Sequence, residues 1–120
     1  MFDYLALMKR ALAALALAGL AASCAYVEAT TTQYVGVPRF PPVDPAAVQV
    51  LPAEPAQRHD RLGEVLLDIS VDPAPPVADI EQRLREEGAK MGASAVYVIR
   101  DAMRPGETRK LIGIAIRYRQ

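Results

Sequence analysis

The chain has little of what most protein chemistry depends on. Its 120 residues include one cysteine and one histidine. A lone cysteine, Cys24, excludes any disulfide within the chain. A lone histidine, His59, excludes multi-histidine metal centres, since a structural site takes about three or four ligands. Net charge is missing as well, because 14 basic and 14 acidic side chains balance. That balance removes the electrostatic case for nucleic acid or for an anionic membrane surface. No internal repeat is visible. The apolar run Ala11–Ala22 would span roughly 18 Å as a helix, short of the roughly 30 Å of a bilayer core.

Catalytic signatures are equally sparse. Ser70 and Ser94 have no histidine in a motif that would activate them. Gly88 and Gly92 build neither a G-x-G-x-x-G turn nor a phosphate loop ending in Lys-Ser/Thr. His59, with Asp60 beside it and Glu54 nearby, is the one candidate metal ligand or base. The alternative is a solvated residue of a Pro-rich loop. No catalytic set and no cofactor are expected.

What is present stands at the start. Lys9-Arg10 precedes Ala11–Ala22, a run of Leu and Ala with one Gly, and small residues follow. A basic n-region, a short apolar h-region and small residues beyond it make residues 1–23 a secretory signal peptide, to be set apart from folding. The stretch Leu20-Ala21-Ala22-Ser23-Cys24 then resembles the lipobox of bacterial lipoproteins. It departs from that pattern at Ala21, where Leu is usual; Leu20 lies one step further back. The resemblance implies that Cys24 is diacylated and becomes the mature N-terminus. Several acyl chains would anchor the protein to a membrane stably, as one alone would not. Ala25, in place of the Asp common in inner-membrane lipoproteins, implies the outer membrane, facing the periplasm. Plain secretion with a cut near Ala25, and a retained signal anchor, are the competing readings.

Removing Asp3, Lys9 and Arg10 leaves 12 basic and 13 acidic side chains, a net charge of about −1. The remaining chain, about 97 residues, suffices for one small domain and a tether. Residues 24–47 read as that tether. Thr30-Thr31-Thr32 and then Pro38, Pro41, Pro42 and Pro45 bias the chain to polyproline II and against a helix or a central strand. About 20 such residues at about 3.1 Å each reach roughly 60 Å. The segment is either a plain spacer or a peptide that docks on an envelope partner through Tyr34, Val35, Val37 and Phe40.

Residues 48–120 read as a small α+β domain, β-β-α-β-β, with one helix on one face of a mixed sheet. Val48–Leu51 is a short strand, and Leu62–Val71 alternates with the period of a half-buried one. Pro76 near the first helical position, with Asp79 and Glu81 behind it, opens a helix. Val77, Ile80, Leu84, Gly88 and Met91 share one face of that helix, where Gly88 allows close approach to a sheet. Gly92 is placed to end it as the left-handed C′ residue. Ala95–Ile99 is apolar on both faces, and Leu111–Tyr118 closes the domain with Gly113 and Ala115 leaving room for the helix. A parallel crossover through the helix and a final antiparallel hairpin follow. Ile112, Ile114, Ile116 and Tyr118 are left on a face without visible cover.

The run Leu84-Arg85-Glu86-Glu87-Gly88-Ala89-Lys90-Met91-Gly92-Ala93-Ser94-Ala95-Val96 resembles the helix-to-strand joint of small bacterial envelope α+β domains. Lipoproteins are among them, including the outer-membrane sensor of the Rcs phosphorelay. That sensor's domain is stapled by disulfides, which this chain cannot form. The combined expectation is a non-enzymatic, lipid-anchored envelope protein acting by contact, with an envelope protein or a second copy as partner. Tyr34, Phe40, Ile112, Ile114 and Tyr118 are its candidate contact residues. The alternative is a periplasmic small-ligand or metal-binding module around the open sheet face or His59.

Overall fold

The computed structural model describes residues 24–120, so the expected signal peptide, residues 1–23, lies outside the described residues. It contains β1 (Val27–Gln33), a 3-10 turn (Pro45–Ala47), β2 (Gln49–Leu51), β3 (His59–Ile69), α1 (Val77–Lys90), β4 (Ala95–Met103) and β5 (Arg109–Tyr118). One helix and a mixed sheet form the expected α+β domain. The sheet has five strands, in the order β1-β3-β5-β4-β2. The additional strand comes from the segment read as a spacer.

That strand is the main correction. In β1 burial alternates residue by residue along VEATTTQ. Val27, Ala29 and Thr31 face the helix side, while Glu28, Thr30 and Thr32 face outward. The threonines are β-branched and suit an extended backbone as well as they suit a linker. The edge of β3 decides between the two, pairing antiparallel with all of Val27–Gln33. Prolines begin only after the strand has ended.

The Pro-rich stretch that follows is a strap. It joins one edge of the sheet to the other, from β1 to β2, past the C-terminal end of α1. The Val43 amide donates to the Ala89 carbonyl at 3.0 Å. Asp44 caps the 3-10 turn by accepting from Ala46 N at 2.9 Å. Val48 then enters the core, 2 % exposed.

Helix α1 ends as its sequence implies. Gly92 takes φ +74°, the Gly92 amide donates to Ala89 O, and the Ala93 amide donates to Gly88 O. That pair of bonds is the Schellman arrangement. At the other end Pro76 is the N-cap, one position earlier than expected. Ile80, Leu84, Gly88 and Ala89 face the sheet. Val77 does not: it is exposed at the first position of the helix.

The core depends on close approach of helix and sheet. A Cβ on Gly88 would lie 2.7 Å from Val96 Cγ2, and one on Gly113 would lie 2.7 Å from Val96 Cγ1. Val96 is therefore clamped between helix and central strand, each of its methyls in a space that a glycine leaves open. Leu62, Val65, Leu67, Ile69, Ile80 and Leu84 belong to the same buried cluster. Each such burial is worth about 1.5–3 kcal/mol.

Strands β3 and β4 each pair antiparallel with β5 and so run parallel to one another, with β5 between them. The expected crossover is thus real but spans an intervening strand. The β4–β5 hairpin is antiparallel as expected, and β4 runs four residues past Ile99, to Met103.

Candidate functional site

Two regions hold the residues singled out by the sequence: the chain start and the sheet face turned away from α1.

Cys24 is exposed and lies three residues ahead of β1. The chain is fixed almost at once. Tyr26 N donates to Ser70 Oγ at 2.9 Å, and Ser70 N donates to Tyr26 O at 3.1 Å. Ser70, 7 % exposed, also donates to Pro73 O at 2.8 Å. Further along, Thr31 Oγ1 donates to Glu87 Oε2 at 2.8 Å, tying β1 to the helix. Only Ala25 and Tyr26 separate Cys24 from regular structure, a leash of about 10 Å rather than roughly 60 Å.

Glu87 is buried, unlike the charged residues Arg85, Glu86 and Lys90 near it on the helix. It is 5 % exposed and holds Lys90 at 2.9 Å as well as Thr31. Burial pushes its carboxyl pKa up, but the hydrogen bonds from Lys90 and Thr31 outweigh burial and hold it below the ordinary value. Its burial could have been anticipated only with β1 in place.

The second region is covered at one end. Ala95, Tyr97, Ile114 and Ile116 form a small buried cluster there, with Leu51 and Tyr118 against it. The cover comes from the β2–β3 loop. Glu54 reaches back to Arg61, whose guanidinium donates to both carboxylate oxygens at 2.9 and 2.8 Å. His59 sits in the same cover, its side chain 11 % exposed. Nδ1 meets Gln57 O at 2.6 Å and Nε2 meets Glu54 Oε1 at 3.0 Å. The ring stands edge-on to Tyr97, centroids 6.4 Å apart. Hydrogen bonds from Arg61 and then His59 lower the Glu54 pKa, and burial raises that of Tyr97.

His59 is therefore the first residue of β3 and a fastening of the loop, not a solvated loop residue. Both ring nitrogens are engaged by acceptors, which leaves neither directed at a substrate. Among the described residues, no group of three or more His, Cys, Asp or Glu is arranged to hold a metal ion.

The expected contact residues divide. Phe40 is committed to the fold: the Arg117 guanidinium lies over its ring at 4.0 Å, and its Cβ occupies the space beside Gly92. Tyr34 is half-buried, its amide donating to Leu62 O at 2.9 Å. Ile114 is 5 % exposed and Tyr118 is half-buried at the rim of the covered cluster. Ile112 alone belongs to the uncovered end. With Leu66 and Ala102 it lines a shallow depression bordered by Arg100, Arg104, Glu107, Thr108 and Lys110. Asp68 at its edge accepts from Thr108 at 2.6 Å, which lowers its pKa.

Comparison with family models, with curated proteins and with solved structures finds no match to this chain.

Proposed function

We propose that this protein is a lipid-anchored, non-enzymatic protein of the bacterial envelope whose small α+β domain works by contact. One observation carries the reading: Cys24 follows directly on an export-type apolar segment and immediately precedes the folded domain. A lipid on Cys24 would hold the domain on a membrane without any spanning helix. The resemblance of residues 20–24 to a lipobox, with Ala25 behind it, favours the outer membrane on its periplasmic side.

The contact surface that fits is the uncovered end of the sheet face, an apolar floor of Leu66 and Ile112 rimmed by Arg100, Arg104, Glu107 and Lys110, the last paired with Asp68. An envelope protein with an apolar patch and a mixed-charge rim would complement it. The metal-binding alternative has less support, because both nitrogens of His59 already have partners.

Intact mass of the membrane-extracted protein tests the anchor. The wild type is expected to begin at Cys24 with added acyl mass, and Cys24→Ser to accumulate uncleaved. A wild type cut after Cys24, or uncleaved and without lipid, overturns the reading. Crosslinking from the membrane tests the contact model, which requires the capture of an envelope protein or a second copy and fails if the chain stays monomeric.

A further inference from the structure

The strand pairings fix which end of the domain faces the anchor. Val27, the first residue of β1, pairs with Ile69; Ile69 pairs with Arg109; and Arg109 pairs with Met103. One end of the sheet therefore carries the chain start, the β3–α1 loop and the β4–β5 hairpin. Helix α1 begins at that same end, because it leaves from the β3–α1 loop and returns to the start of β4.

This end is also where apolar side chains are left in solvent. Seven large hydrophobic residues are exposed among those described. Four of them are here: Tyr26 at 44 %, Val71 at 41 %, Val77 at 67 % and Met103 at 62 %. They come from three stretches of the chain, around residues 26, 71–77 and 103, so no single loop conformation accounts for them. Charges here are few and slightly acidic in sum, with Asp72 and Glu107 against Arg104, and Arg109 paired with Asp101.

We propose that this end is a membrane-contact surface, with Tyr26, Val71, Val77 and Met103 seated at the head-group level of the bilayer that holds Cys24. The inference rests on the lipid-anchor reading above. With Tyr26 pinned to Ser70, the leash of about 10 Å leaves the domain no room to stand clear of the head groups. Tyrosine suits the interface because its ring is apolar and its hydroxyl wet. With no excess of basic side chains, the contact is apolar rather than an attraction to anionic head groups. The opposite end, with the strap and Val35, points away from the lipid by roughly 25 Å at about 3.3 Å per strand residue.

The chain contains no tryptophan, so one introduced residue is a unique fluorescent reporter. Met103→Trp and Val77→Trp probe the proposed surface, and Val35→Trp, at a fully exposed site, probes the far end. Each full-length variant is extracted from membranes and reconstituted in phosphatidylethanolamine/phosphatidylglycerol vesicles carrying brominated acyl chains. The expected result is about twofold or greater quenching at positions 77 and 103, with a blue shift, and none at 35. Intact mass of the same samples reads acylation independently. Acylated protein with equal or no quenching at all three positions overturns the membrane-contact surface and leaves the lipid anchor standing. Protein without acyl mass overturns the anchor, and this surface with it.

Discussion

The substitution Gly88→Ala sets two known effects against each other. In an exposed helix it would stabilise by about 1 kcal/mol, the propensity difference between Gly and Ala. Here the new Cβ would lie 2.7 Å from Val96 Cγ2. That is about 1 Å inside the optimal carbon–carbon separation. Val96 cannot turn away, because its other methyl fills the space beside Gly113 and its χ1 is restricted by β-branching. The remaining neighbours, Val48 Cγ1 at 3.4 Å and Ala93 Cβ at 3.5 Å, are in ordinary contact and add little. Overpacking of this kind costs about 1–3 kcal/mol, and a stiff obstacle places it in the upper half. The net expectation is a loss of about 1–2 kcal/mol. For a domain of this size that corresponds to a fall in Tm of about 4–15 °C. Thermal unfolding of residues 24–120, followed by far-ultraviolet circular dichroism, measures it directly. A double-mutant cycle with Val96→Ala adds a second reading: removing the obstructing methyl relieves the clash and should return about 2–3 kcal/mol of favourable coupling. A Tm at or above wild type, or strictly additive effects, would refute the clamp.

The same structure makes two further predictions about the segment first read as a spacer. A chain beginning at Val48 lacks β1 and the strap, so β3 loses its whole outer partner and the helix end its cover; it is expected to unfold without a cooperative transition. An unchanged thermal transition in that chain would return residues 24–47 to the status of a tether. Glu87 makes the attachment of β1 pH-dependent. Its folded pKa lies below the ordinary value of 4.5, so the ionised group contributes stability that is present above that value and is lost as pH falls through the folded pKa. Glu87→Gln should therefore lower Tm at pH 7 and flatten its decline below about pH 4.5, and parallel Tm–pH curves for variant and wild type would exclude this role.

Several parts of the molecule are legible in the sequence because their signals are local. The periodicity of Leu62–Val71 and the alternation of Leu111–Tyr118 predict strands that form, the first ending two residues earlier, at Ile69, and Gly92 marks the end of the helix where it occurs. Gly88 and Gly113 announce a close approach of helix and sheet, and both are found against Val96. Two expectations fail for a shared reason. Thr30-Thr31-Thr32 is as compatible with a linker as with a strand until the edge of β3 is there to pair with it. His59 looks like part of a solvated loop until that loop folds over the face bearing Tyr97.

The sequence by itself determined the helix, its cap and its glycine face, the main strands, and the placement of one cysteine behind an export-type segment. These depend on backbone propensity and on periodicities spanning a few residues. Only the tertiary structure decided that the presumed spacer is a strand and a strap, that Glu87 is buried, and that one half of the open face is covered. It also decided which end of the sheet lies beside Cys24. Each of these requires partners some tens of residues away, as Thr31 is from Glu87, and no local pattern encodes which distant edge a segment will meet.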